Sequence, residues 1–282
     1  MSLNLDALGY MLENAGAMKC PPTFLDKVTQ RVVAAPKHGD DPSVIYRASS
    51  IGKPWITQVL DRWYGGKRQF TLSSCTSMLN GIMMEQVLVE LLTTCGYKVE
   101  QQETHRGGDV VGHSDIILQT DVSDQRIVLE CKSMAPHIVA GFANCPNDDF
   151  GYLSQLAFYW YTTRQAYPQY KVEAAFVLFN RGDSKFRLVE ITQSSMEAKM
   201  RRLESALEGL AEVPDYDVDA LLATVAIPKP ILGKLPFMLM NSRWRDVLYR
   251  GTKDGFVAHD TATIARQLKQ LPLQRSDTYG EA

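Results

Sequence analysis

The chain has 282 residues, of which 45% are hydrophobic and 22% charged, with 30 Lys and Arg against 32 Asp and Glu and a net charge of −2. At roughly 150 residues per domain this predicts one domain with a large accessory lobe, or two. The composition excludes long disorder, and the near-neutral charge excludes a protein that coats nucleic acid by bulk charge. No stretch approaches the roughly 18 apolar residues that span a bilayer, so no membrane partner is expected. The opening residues carry Asp6 and Glu13 and no basic cluster, unlike a secretory leader. Five cysteines, with no CxxC pair and none after Cys145, disfavour a disulfide framework, a zinc ribbon and an iron–sulfur cluster. They read as reduced cytoplasmic thiols.

In chain order, residues 1–46 read as a weakly helical start and a connector rich in Pro, Gly and Asp at 35–43. Residues 47–68 read as a turn, a short helix capped by Ser49 or Ser50, and a glycine stop. A clearer helix starts at Gly81, with Met84, Val87, Leu88, Leu91 and Leu92 at helical spacing, and Gly96 ends it. Residues 97–103 are strand-like, and RGGD at 106–109 is a turn. Strands at 114–120 and 126–133 form a hairpin. Residues 136–149 read as a loop and 150–167 as a long aromatic helix. A buried strand at 172–180, a further strand at 186–192 and an amphipathic helix at 195–212 follow. Beyond 213 the prolines leave the chain unassigned, as an arm or small lobe. The order predicts a mixed α/β unit, a sheet flanked by helices.

Chemistry concentrates on the second hairpin strand. Alternation puts Val128, Glu130 and Lys132 on one face and Ile127, Leu129 and Cys131 on the other. Strand pairing can bring Asp115 within reach of Glu130. Two neighbouring carboxylates repel unless a cation separates them, and hard oxygen donors suit magnesium or manganese. Such an ion polarises a phosphoryl oxygen and acidifies a water, and Lys132 beside it offsets charge on a phosphate. An ExK tripeptide alone is more often a pair of edge-strand charges, and Asp115 makes the two readings even. Glu85, on the preceding helix, offers a third carboxylate. Gln155 and Tyr159 share a helical face. Lys53, Arg62, Lys67 and Arg68 lie near Trp55, Trp63 and Tyr64, which suits phosphate contact and base stacking, or equally a solvated helix over buried rings.

The ordered motifs GxxxE (Gly81, Glu85), GHxD (Gly112, His113, Asp115), ExK (Glu130, Cys131, Lys132) and QxxxY (Gln155, Tyr159) resemble the PD-(D/E)XK nuclease superfamily, most closely its RecB-like and lambda-exonuclease-like branches. The match spans about residues 45–190. Ser114 stands where the family name has proline. The resemblance implies a restriction-endonuclease-like core at 47–213, between an N-terminal helical segment (1–46) and a C-terminal accessory region (214–282). It implies Mg2+, replaceable by Mn2+, held by Glu85, Asp115, Glu130 and the carbonyl of Cys131. Lys132 is then the catalytic lysine, with Gln155 and Tyr159 beside the site. Arg47, Ser49 and Ser50 match the Arg/Ser segment of phage-type members and, with Lys53 and Arg62, are candidate DNA contacts. The implied activity is an exonuclease acting on double-stranded DNA ends in phage-type recombination or DNA processing. Its implied partners are those ends, a single-strand annealing protein and further copies of the chain in a ring. A structure- or sequence-specific endonuclease on the same core, and a catalytically silent nucleic-acid-binding module, stay open as alternatives.

Overall fold

Alternating apolar strands and one-faced helices sort the chain into three layers. The computed structural model describes residues 4–34, 45–65, 72–119, 124–144, 150–240 and 242–271. Its elements are α1 (Leu5–Asn14), α2 (Phe24–Ala34), β1 (Tyr46–Arg47), a 3-10 turn at Ala48–Ser50, α3 (Trp55–Tyr64), α4 (Leu72–Thr94), β2 (Lys98–Gly107), β3 (Val110–Gln119), β4 (Gln125–Met134), α5 (Pro136–Asn144), α6 (Tyr152–Ala166), β5 (Lys171–Asn180), β6 (Lys185–Glu190) and α7 (Gln193–Ala211). Then follow α8 (Val218–Thr224), α9 (Phe237–Met240), α10 (Arg245–Leu248), the hairpin β7 (Tyr249–Thr252) and β8 (Gly255–Ala258), and α11 (Thr261–Lys269).

The main sheet has six strands. β3 pairs along its length with antiparallel β2. Its other edge meets parallel β1 at Val110 and Val111 and antiparallel β4 at Ile116–Gln119. β4 continues past that contact, parallel to β5, and β6 closes the far edge. Between β1 and β4, residues 112–115 of β3 have no strand partner on that edge among the described residues. β3 and β4 therefore open as a fork, and the candidate site lies in it.

One sheet face carries α3, α5, α6 and α7 around Ile117, Val128, Ala174, Phe176 and Leu178. The other carries α1 and α4 around Ile116, Leu118, Ile127, Leu129 and Val177. Each large aliphatic side chain so buried contributes about 1.5–3 kcal/mol. Beyond residue 213, Val218, Leu221, Leu239, Trp244, Leu248, Tyr249, Ile264 and Leu268 join the first of these clusters. The architecture is the expected mixed sheet flanked by helices.

Three local expectations are corrected. The helix bearing Glu85 begins at Leu72 and runs through Gly81; one interior glycine costs only about 1 kcal/mol in a helix of this length. Its end is as expected, with Gly96 at φ +86 and the Tyr97 N–H donating to the Leu92 carbonyl at 3.0 Å. Residues 136–144, expected as loop, form α5, because proline at a first helical position sacrifices no intrahelical hydrogen bond. Neither Ser49 nor Ser50 caps α3, which starts five residues later behind Pro54. Residues 35–44, 120–123 and 145–149 lie outside the described residues, and so do Lys67 and Arg68.

Candidate active site at the β3–β4 fork

The fork begins where pairing stops. The last ladder pair is Ile116 with Leu129. One step on, the Cys131 N–H donates to Asp115 Oδ2 at 2.8 Å instead of to a backbone carbonyl. The N–H and C=O of one strand residue project to the same edge, so the Cys131 carbonyl also faces the fork.

β4 keeps the alternation read from its sequence. Ile127, Leu129 and Cys131 pack toward α4, and Val128 toward α6. Glu130 is fully buried. Lys132 donates to Glu130 Oε1 and lies 4.8 Å over the ring of Tyr152. Glu130 Oε2 is buried with no hydrogen-bond partner.

β2 and β3 do not keep their alternation. Val99 and Gln101 face α4, whereas Glu103 and His105 face α6, where they meet Tyr167 and Thr162. On β3, Gly112 abuts Tyr159 of α6 but Ile116 packs toward α4. The side chains exchange faces at Gln102 and Asp115, which stand opposite each other between the pairs Gln101–Ile116 and Glu103–Ser114. Gln102 has φ +54, a conformation that a side chain disfavours. Asp115 is thereby aimed along the sheet edge into the fork.

Glu85 approaches from the α4 layer. Its Oε1 accepts from Gln102 Nε2 at 3.0 Å, and from Gln101 and Gln86 at 3.4 Å each. Burial and then the neighbouring Asp115 push its pKa up to about 7, against the pull of the amides. Burial and then Asp115 push Glu130 up to about 8. Burial also raises Asp115, opposed by Lys132 and the Cys131 N–H. Burial alone would lower Lys132, but Glu130 and Asp115 outweigh it and keep the ammonium charged. Three carboxylates thus share one ammonium, and the excess negative charge needs protons or a second cation.

α6 forms the wall. Gln155 Nε2 donates to the Tyr159 hydroxyl at 3.2 Å. Burial and Glu130 raise the Tyr159 pKa, so the phenol keeps its proton. A Cβ on Gly112 would lie 2.7 Å from the Tyr159 oxygen and 2.4 Å from Ala48 Cβ. The glycine of GHxD is therefore what lets α6 and the 3-10 turn both close on β3. His105, which burial holds down to about 4, bridges Thr162 and Ser114 through its two ring nitrogens at 2.8 and 2.9 Å.

The structure brings together Glu85, Asp115, Glu130, Cys131, Lys132, Gln155 and Tyr159. The segment of Arg47, Ser49 and Ser50 borders them, since Ala48 touches Gly112. Lys53 Nζ donates to Ser50 Oγ at 3.4 Å. Arg62 is turned away to Asp215, at 3.0 and 3.3 Å. Trp63 is buried, and Trp55 and Tyr64 pack edge-on against Tyr46 and Trp244; these rings serve the core. The sequence assigns no role to Gln101, Gln102, His105 or Ser114. The RGGD turn held a signal for them, because pairing Gly107 with Val110 sets Gln102 opposite Asp115.

Among the described residues no three His, Cys, Asp or Glu side chains enclose an ion as they stand. The Lys132 ammonium and the Cys131 N–H sit on the oxygens in question. The donor set nonetheless fits a hard divalent cation: three carboxylates, one with a partnerless buried oxygen, beside a strand carbonyl.

No protein-family model and no curated protein matches the chain. Solved structures similar to it include SSO0001, with 11% identity over 72% of this chain and 95% of that one, at a TM-score of 0.36. An alkaline exonuclease from Laribacter hongkongensis shares 13% identity over 60% of this chain and 93% of its own, at a TM-score of 0.35. A candidate exonuclease from Eubacterium rectale shares 12% over 79% and 82%, at 0.34. No helix among the described residues is long and apolar enough to cross a membrane.

Proposed function

We propose that the chain is a magnesium-dependent deoxyribonuclease that hydrolyses phosphodiester bonds at double-stranded DNA ends, in recombination or DNA processing of the phage type. The observation that carries this reading is the partnerless Glu130 Oε2, buried within a carboxylate trio that a single lysine cannot neutralise. Glu85, Asp115, Glu130 and the Cys131 carbonyl would hold Mg2+ or Mn2+. The ion supplies charge on a phosphoryl oxygen and a more acidic attacking water.

The remaining roles belong to side chains of the chain itself. Asp115 is held at the fork by the Cys131 N–H. Lys132 is steadied by Glu130 and by the Tyr152 ring, and its ammonium would offset charge developing on the phosphate. Gln155 orients the Tyr159 phenol, whose proton serves as a donor to a phosphate oxygen on that wall. Arg47, exposed at the end of β1 with Ser49 and Ser50 beside it, would receive a terminal phosphate. The serines would act through their hydroxyls, since the helix start lies at Trp55.

Digestion of end-labelled linear duplex and of closed circular duplex, with Mg2+ and with EDTA, tests the proposal. Mg2+-dependent loss of linear DNA alone is expected. Preference for circular DNA would assign an endonuclease, and binding without turnover a silent module.

A further inference from the structure

In a regular strand, adjacent side chains leave opposite faces of the sheet. Gln101 and Gln102 break this rule, because both amides reach the same oxygen, Oε1 of Glu85. Only the left-handed backbone at Gln102, φ +54, makes that possible. Three amides, those of Gln102, Gln101 and Gln86, donate to Oε1 of Glu85, and the shortest contact, 3.0 Å, comes from Gln102. Oε2 is left free. Strain of this kind persists where the surroundings over-determine it, and it gathers at functional sites.

We propose that Gln102 is a positioning residue for the cation site: it pins Oε1 of Glu85 so that Oε2 is presented to the ion held with Asp115 and Glu130. This rests on the metal-site reading above. An amide suits the task because it holds a carboxylate without supplying positive charge. A lysine or arginine at this position would act as a counter-ion and compete with the metal. Gln102 also occupies the ladder position opposite Asp115. The backbone turn that aims its amide at Glu85 is therefore the same turn that frees Asp115 for the fork.

The test is calorimetric titration of the full chain with Mn2+, alongside thermal melts in EDTA. Gln102→Gly and Gln102→Asn both suit a left-handed backbone, and neither reaches Glu85. Relief of strain and loss of one hydrogen bond oppose each other, so their metal-free Tm should stay within about 2 °C of wild type. Their Mn2+ affinity should fall about 10- to 100-fold, as it does when a partner of a metal ligand is removed. Gln102→Met keeps the strain, loses the donor and should weaken Mn2+ by a similar factor. Unchanged Mn2+ affinity in the Gly and Asn variants, with binding lost in Glu130→Ala, would overturn the positioning role alone. Absence of Mn2+ binding by wild type, or wild-type affinity in Glu130→Ala, would remove the metal-site reading and this inference with it.

Discussion

Glu130 sets one oxygen against Lys132 and the other against nothing, and the neighbouring residues answer to that imbalance. Asp115→Asn keeps an acceptor for the Cys131 N–H but removes a charge from the trio. In EDTA its Tm should rise by about 2–4 °C, the equivalent of about 1 kcal/mol, while Mg2+-dependent cleavage disappears. Asp115→Ala and Glu130→Ala should likewise abolish cleavage, with the fold retained by circular dichroism; near wild-type turnover in either would sink the site. Lys132→Ala should bind Mn2+ and lose turnover, because the lysine is not a ligand. Ca2+ should bind without supporting efficient cleavage. Arg47→Ala should slow digestion of 5′-phosphorylated duplex about 10- to 150-fold more than that of 5′-hydroxyl duplex, the value of one charge-assisted contact; equal slowing would reject the phosphate contact. Asp115, Glu130 and Lys132 are legible because each sets a charge on an otherwise apolar strand. The amides of Gln101 and Gln102 were not, because two glutamines in a strand imply opposite faces until a positive φ is known.

At the scale of elements, the glycines decide how closely layers approach. Gly112→Ala would place a methyl 2.4 Å from Ala48 Cβ and 2.9 Å from Tyr159 Cε1. It should cost about 1–3 kcal/mol in denaturant unfolding and reduce cleavage by shifting α6. The helices and strands around the site are readable from periodicity, including the β3–β4 hairpin, whereas the parallel pairing of β5 with β4 is seen only in the structure. α5 is not legible in the sequence, because its Pro136 and Gly141 are loop signals. Its effect on the site is indirect: Phe142 packs against Tyr152 at a 6.4 Å centroid distance, and Tyr152 underlies Lys132. The start of α4 was misplaced because Gly81 is a stop signal in a pattern reading but an affordable interior residue in a helix of 23.

For the whole molecule, the buried trio dictates a pH response. Unfolded, Glu85 and Glu130 release their protons near 4.5; folded, they do so near 7 and 8. Between those values the folded chain holds more protons than the unfolded one, so stability should fall as pH rises from about 4.5 to about 8. Urea midpoints in EDTA should be lower at pH 8.5 than at pH 5, and Mg2+ should shrink the difference. A midpoint that rises over that range would contradict the charge distribution. Residues beyond 213, opaque in sequence because their prolines break every period, supply Leu221, Leu239, Tyr249 and Ile264 to the cluster that also holds Tyr159 and Trp160. Ending the chain at residue 213 would expose that surface, and the shortened protein should be insoluble.

Gly52 and Gly151 meet backbone to backbone: a Cβ on Gly52 would lie 2.2 Å from the Gly151 Cα. The first follows the turn of Ser49 and Ser50, and the second starts α6 at φ +76. With no side chain between them there is no slack, so a push on the turn is a push on the helix. On the proposed function, a load placed on Ser49 and Ser50 by a bound strand end would pass through this bearing to Gln155 and Tyr159.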